Sequence, residues 1–368
     1  MTPFSPGQLL LTGVPGPDLD AETARRLKDV QPGGFILFTR NIQSPAQLRK
    51  LIDDLRDLSD VEPVITIDQE GGRVSRLREL GNEPPNAQQL REKGDPALIT
   101  RHGELTAQIL RLFGFNLDLC PVLDVSYDGD AHNSLRGRCW GTDPQEVISN
   151  AGVFNAALRK GGILSCGKHF PGYMRTGVDP HHDLDVIDRT RKELEAEELL
   201  PFRAVGPDVD SMMIGHVHYP VLDPDHPGRP ATLAPEVVTG LLRNEMAYKG
   251  LIMTDDMDMG PILKAAPFKD VIQDAVTAGN DMVMICHRLN MVEEALGHIQ
   301  ALPESTLTRA FESIEKAKNR LYPPTKFTEE RFAEIDARIW DLRVATLGEQ
   351  AAATRSPEDG ARSPVELY

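Results

Sequence analysis

Eight short apolar runs recur along the 368-residue chain, at 8–14, 34–38, 63–68, 116–125, 162–169, 211–217, 250–255 and 281–286. They are nearly continuous in apolar residues rather than alternating, as in Leu251-Ile252-Met253. A strand with one wet face alternates, whereas a strand covered on both faces does not. Amphipathic helical segments lie between most of the runs. Eight strands with interleaved helices predict an α/β fold, a single (β/α)8 TIM-type barrel. The alternative is an open doubly wound sheet, but no Gly-x-Gly-x-x-Gly follows the first run, which weakens its dinucleotide-binding form.

The helices carry their own punctuation. Asp143-Pro144 supplies an N-cap and a proline at the first helical position, Val147, Ala151, Phe154 and Leu158 follow at helical spacing, and Gly161 is the expected end. Asp95-Pro96 opens another helix, with Leu105, Ile109 and Leu112 on one face and Gly114 after it. Segments 45–58 and 189–206 are similar. Residues 1–325 are assigned to the barrel. Residues 326–347 predict one extra C-terminal helix packed on its exterior, with Phe332, Ile335, Ile339 and Leu342 on one stripe. From 348 to 368 the chain is rich in Ala, Ser, Pro and Glu with little to bury, and is expected to be a flexible tail.

Charge narrows the partners. With 40 Lys and Arg against 56 Asp and Glu, the formal net charge is −16, which repels nucleic acid phosphates and anionic membranes. No run of 18 apolar residues occurs, and the first residues lack the basic and apolar regions of a secretion signal, so a cytoplasmic location is expected. The four cysteines, 120, 139, 166 and 286, form no Cys-x-x-Cys pair and match no zinc spacing. Three of them lie in apolar runs and fit small buried hydrophobes in a reducing compartment. No metal and no cofactor are assigned. The oligomeric state is not legible.

In a barrel the chemistry gathers at the carboxyl ends of the strands. Run three ends in Asp68-Gln69-Glu70-Gly71-Gly72-Arg73-Val74-Ser75-Arg76, and run four in Pro121-Val122-Leu123-Asp124-Val125. Run five ends in Lys168-His169, and the loop after it carries Asp179, His181, His182 and Asp183. Run six ends in His216-Val217-His218 and run seven in Thr254-Asp255-Asp256-Met257-Asp258. Packing does not require acid, base or imidazole at five of eight strand ends.

Asp255 follows a buried strand where that strand leaves the core. A carboxylate at the mouth of an apolar barrel can attack a carbon that develops cationic character, such as the anomeric carbon of a glycoside. The bland alternative is an N-cap for the next helix. Lys168, Arg76 and Arg138 are candidate donors to sugar hydroxyls, and Asp68 can accept from two adjacent ones. Asp179 stands two residues before His181, and an aspartate on one imidazole nitrogen leaves the other free for proton transfer. His182 competes for that role, and composition does not rank the two.

These residues together resemble glycoside hydrolase family three, most closely its single-domain β-N-acetylhexosaminidase branch. The resemblance covers roughly residues 8–320 and rests on several pieces in family order: 34–40 (GFILFTR), 67–77 (IDQEGGRVSRL), 121–125 (PVLDV), 138–144 (RCWGTDP), 168–172 (KHFPG), 179–181, 231–233 (ATL) and 250–260 (GLIMTDDMDMG). It implies a retaining glycosidase that releases terminal β-linked N-acetylhexosamine from small glycosides such as cell-wall fragments. Asp255 matches the nucleophile, which would form a glycosyl ester. His181 matches the acid/base and Asp179 its dyad partner. Asp68, Arg76, Arg138, Lys168 and His169 match the sugar-binding positions.

One stretch departs from the branch. The usual KHFPG-His-Gly-Asp-Thr reads here KHFPG-Tyr173-Met174-Arg175-Thr176, and Pro180 stands inside the dyad. The charge reversal at Arg175 reshapes the expected aglycone contacts and suits an anionic aglycone. Phosphorolysis, another sugar, or a non-catalytic sugar-binding role are the alternatives within this resemblance. A metal-dependent hydrolase using His216, His218, His169 and Asp255 is the rival outside it.

Overall fold

Each of the eight apolar runs coincides with a strand in the computed structural model, which describes residues 5–127, 134–173 and 184–356, and two of the strands run one residue past their run. The strands are β1 (Leu10–Gly13), β2 (Gly34–Leu37), β3 (Val64–Ile67), β4 (Leu117–Asp118), β5 (Leu164–Phe170), β6 (Ser211–Ile214), β7 (Leu251–Asp256) and β8 (Met282–Ile285). They pair in parallel and in chain order, and β8 returns to β1 to close a barrel. Leu11 faces Gly34 on one side and Met284 on the other, which sets the closing register. Closure rules out the open doubly wound alternative. β4 is short, yet the chain beyond it stays beside β5, with the Leu123 N–H donating to the Lys168 carbonyl at 2.6 Å.

The helices begin where the caps stand. The Ser44 hydroxyl accepts from the Gln47 N–H ahead of Pro45–Leu58, Asp95 accepts from the Ala97 N–H ahead of Pro96–Phe113, and Asp143 accepts from the Gln145 and Glu146 N–H groups ahead of Pro144–Lys160. Gly161 keeps a right-handed φ of −75°, and Gly162, at φ +86°, makes the turn into β5 one residue later than expected. Segment 189–206 is two helices, Arg191–Ala196 and Leu199–Val205, rather than one. Pro201 explains the break. Inside a continuous helix it would cost a hydrogen bond and a clash, whereas here it sits in a first turn.

The C-terminal helix spans Glu329–Leu347 and buries Phe332, Ile335, Ile339 and Leu342. The expected tail is not free where it is described. Residues Glu349–Ala352 form a helical turn, and Ala352 is buried. Arg343, itself buried, donates to the carbonyls of Ala352, Thr354 and Glu83 and to the Glu83 carboxylate. Ser356 closes on that carboxylate through both its N–H and its hydroxyl. A buried guanidinium needs acceptors for its N–H groups, and residues 352–356 supply them. Residues 357–368 lie outside the described chain. Among the described residues no helix is long and apolar enough to cross a membrane.

Candidate active site

Six of the sequence-assigned residues converge on one pocket: Asp68, Arg76, Arg138, Lys168, His169 and Asp255. Each leaves the carboxyl end of a strand or the loop just after it. Asp68 follows β3, and a hairpin of Gln69–Gly71 against Val74–Ser75 turns the chain so that Arg76 comes back over Asp68. Gly71 makes this possible, since at φ +109° any Cβ would lie 2.3 Å from the Pro85 carbonyl oxygen. Arg138 enters from the loop after β4, and Lys168 and His169 lie on β5 itself.

The charged groups are locked to one another. Lys168 Nζ lies 2.6 Å from Asp68 Oδ1 and 2.7 Å from Glu70 Oε1. Arg138 grips Glu70 with both arms, Nε to Oε2 at 2.8 Å and Nη2 to Oε1 at 2.7 Å. Arg76 Nη2 is 3.5 Å from Asp68 Oδ2. Burial alone would raise both carboxyls. The Lys168 and Arg76 charges outweigh it at Asp68, and Arg138 and Lys168 outweigh it at Glu70, so both are held below the ordinary carboxylate range. Burial would likewise strip Lys168 of its proton, but the two carboxylates hold the ammonium charged.

Glu70 was not among the sequence-assigned site residues, although it stands inside the motif that supplied Asp68 and Arg76. Asp124 was also missed. Its Oδ2 accepts from His169 Nδ1 at 2.7 Å and from the His169 N–H at 3.1 Å, which fixes the ring through Nδ1. Its Oδ1 accepts from the Tyr173 N–H at 2.6 Å. The signal was present, since Asp124 is a lone acid in the apolar run PVLDV. Asp118 is a third. Burial pushes its carboxyl up to about 7 beneath the Asp68–Glu70–Lys168 group.

Asp255 is at the end of β7, half-buried, with Oδ1 2.8 Å from the Asp256 N–H. The helix-cap alternative does not hold, because the next helix starts at Gly260 and Met259 is its N-cap. Asp256 and Asp258 turn inward instead. Asp256 Oδ1 accepts from the Cys286 and Asp258 N–H groups, and Asp258 accepts from the His287 N–H at 2.7 Å and from Arg288. Of the three acids, Asp255 and Asp256 both line the pocket, and the Asp256 and Asp258 carboxylates pin the end of β7 to the chain just after β8. Burial first, then Asp258 and Asp255, push the Asp256 carboxyl up.

The metal alternative finds no convergent ligands. His216 Nδ1 meets Thr232 Oγ1 at 2.7 Å and Nε2 meets the Asp256 carbonyl at 2.9 Å, while His218 Nδ1 meets the Arg229 carbonyl. Burial lowers the His216 pKa, which keeps the ring neutral. Among the described residues, donors close enough for an ion are Asp256, Cys286 and His287, and Asp223, His226 and Glu236. Arg40 Nη1 stands 3.0 Å from His287 Nδ1 in the first, and Arg229 occupies Asp223 and Glu236 in the second. All four cysteines are buried and unpaired. Asp179, His181, His182 and Arg175 lie outside the described residues.

Comparison with known proteins agrees with this architecture. The model of the glycosyl hydrolase family 3 N-terminal domain matches residues 6–321. A β-hexosaminidase of Alkalilimnicola ehrlichii is 35% identical over 79% of this chain and 84% of its own length. A family 3 β-N-acetylglucosaminidase from Paenibacillus superposes with a TM-score of 0.82 at 30% identity, covering 92% of this chain and 68% of that one. Native NagZ from Neisseria gonorrhoeae gives 0.77 at 28% identity, covering 93% and 99%. The protein is a glycoside hydrolase, and its chain belongs to glycosyl hydrolase family 3.

Proposed function

We propose that the chain is a retaining glycosidase that removes terminal β-linked N-acetylhexosamine, N-acetylglucosamine first among them, from small glycosides such as cell-wall fragments in the cytoplasm. The single observation that carries this reading is the position of Asp255. It stands at the end of an apolar strand and faces the same pocket as a donor-and-acceptor cluster suited to a sugar ring. The names of the relatives, β-hexosaminidase and β-N-acetylglucosaminidase, support the sugar.

In the proposed reaction an Asp255 oxygen attacks the anomeric carbon as the bond to the leaving oxygen breaks. The leaving oxygen takes a proton from His181, which the family resemblance pairs with Asp179. Water then attacks the glycosyl ester, gives its proton back to His181, and Asp255 leaves as carboxylate with the β configuration retained. Asp68, Lys168, Arg138, Arg76 and His169 hold the ring hydroxyls. Because these groups are already paired and buried, they need little reorganisation when the sugar arrives.

The test is release of 4-nitrophenol from 4-nitrophenyl N-acetyl-β-D-glucosaminide by the wild type, Asp255→Ala and His181→Ala. Turnover is expected to fall by a factor on the order of 10⁴ or more in Asp255→Ala. A 2-deoxy-2-fluoro glycoside is expected to leave its sugar on the peptide containing Asp255. Turnover that survives Asp255→Ala would sink the mechanism. A wild type silent on this substrate, on the β-glucoside and with added phosphate would sink the activity.

A further inference from the structure

Tyr173 stands where the chain departs from the branch it resembles, directly after Lys168-His169-Phe170-Pro171-Gly172. It is buried and lines the pocket. Its N–H shares the Asp124 carboxylate with His169, and its ring lies against the His169 ring with centroids 4.8 Å apart. Its hydroxyl accepts the His216 N–H at 3.0 Å. The space for that ring is reserved. A Cβ on Gly215 would lie 2.9 Å from Tyr173 Cζ and 3.0 Å from its hydroxyl.

His216 carries the connection onward. With Nε2 facing the Asp256 carbonyl, the neutral ring places its proton there and accepts at Nδ1 from the Thr232 hydroxyl. Asp256 is the residue after the nucleophile candidate. The contacts therefore run unbroken from Asp124 and His169, through Tyr173 and His216, to β7. The ring of Tyr173 packs on His169 and its hydroxyl meets His216, so Tyr173→Phe removes the second contact and keeps the first.

We propose that Tyr173 is a positioning residue that ties the sugar-contacting imidazole of His169 to the strand bearing Asp255. The effect on turnover rests on the glycosidase reading, whereas the coupling of Tyr173 to β7 does not. Phe at this site keeps the ring and leaves the His216 N–H without its acceptor. A buried N–H without a partner is costly enough to shift the end of β6 and, through His216, the Asp256 carbonyl.

The experiment compares wild type, Tyr173→Phe, Tyr173→His and Thr232→Val by amide hydrogen exchange and by kinetics. Exchange is expected to quicken in the peptide covering 251–258 in Tyr173→Phe, which Tyr173 reaches through His216, and to stay unchanged in β1 and β2. Tyr173→His, too short to reach the His216 N–H, serves in its place should the Phe variant not fold. In turnover, Tyr173→Phe is expected to lower kcat roughly tenfold while the inhibition constant of N-acetylglucosamine stays within about twofold, because the ring against His169 remains. Combining Tyr173→Phe with Thr232→Val is expected to cost no more than the worse single change, since both act through His216. Unchanged exchange at 251–258 would overturn the proposal, as would losses that simply multiply. If the wild type turns over no hexosaminide, the glycosidase reading has failed, and the exchange measurement still decides the coupling.

Discussion

Replacing Glu70 by Gln tests whether the pocket is held by charge or merely filled. The carboxylate takes three charged contacts, two from Arg138 at 2.7 and 2.8 Å and one from Lys168 at 2.7 Å, and its side chain is 6% exposed. Gln keeps one acceptor and turns an amide N–H₂ toward a cation, leaving two buried cations with Asp68 as the remaining near counter-charge. Removing one partner of a buried pair costs about 3–5 kcal/mol, and the relief of Glu70's own burial penalty places the expected loss at the lower end. The loss depends on pH in a defined direction. The folded protein holds Glu70 below its ordinary value of 4.5, so the stability it contributes is fully present above that value. That contribution is lost as pH falls through the folded value. Urea melts of wild type and Glu70→Gln should therefore differ by about 3 kcal/mol at pH 7 and converge as pH is lowered below 4.5. With Arg138 and Lys168 no longer aimed, KM for the glucosaminide should rise roughly tenfold. A difference under about 1 kcal/mol at pH 7, or one that does not shrink in acid, would refute the argument that these ions order one another.

Three further outcomes follow from particular contacts. Gly215→Ala drives a Cβ into the Tyr173 ring and should destabilise the fold by about 1–3 kcal/mol in urea melts. Unchanged stability would show that the ring has room to move. Arg343→Ala removes the donor that gathers Glu83, Ala352 and Thr354, and should cost about 3–5 kcal/mol and expose residues 349–356 to proteolysis. Intact resistance of that segment would count against the docking of the C-terminus. Dialysis against a chelator should leave glucosaminide turnover unchanged, and activity restored only by a divalent ion would revive the metal-dependent alternative.

The barrel was legible because its signal is repeated. Eight apolar runs at parallel-strand spacing constrain one another, and each strand falls on its run, with β5 and β7 running one residue past the end. What the sequence did not show is where a local cost is settled by a distant partner. Segment 189–206 has one helical pattern, but Pro201 divides it. Residues 349–356 have little apolar surface of their own, and they are held because Arg343, nine and eleven residues before the carbonyls it grips, is buried and needs acceptors. The site shows the same division. Asp68, Arg76, Lys168 and Asp255 announce themselves at strand ends. Glu70, Asp124 and Tyr173 matter through their partners across the barrel mouth, and pairings between residues 43, 45 and 68 positions apart leave no local pattern to read.

The balance of charge in the pocket bears on the reaction itself. Asp68 and Glu70 face Lys168, Arg138 and Arg76, so the donors that would grip a neutral sugar are largely neutralised before it binds. Without that pairing, three cations in a buried pocket would oppose the positive charge that grows on the anomeric carbon in the transition state. With it, Asp255 and Asp256 line the pocket, and the Asp256 and Asp258 carboxylates are tied to the backbone just after β8. In the proposed reaction the same ion pairs that fix the donors would also keep their field from weakening the stabilisation that Asp255 gives the developing cation. This ties sugar binding to rate. A substitution that frees Lys168 or Arg138 from its carboxylates should lower kcat as well as raise KM, whereas loss of a donor together with its counter-charge, as in a paired Glu70→Gln and Arg138→Met change, should fall mainly on KM.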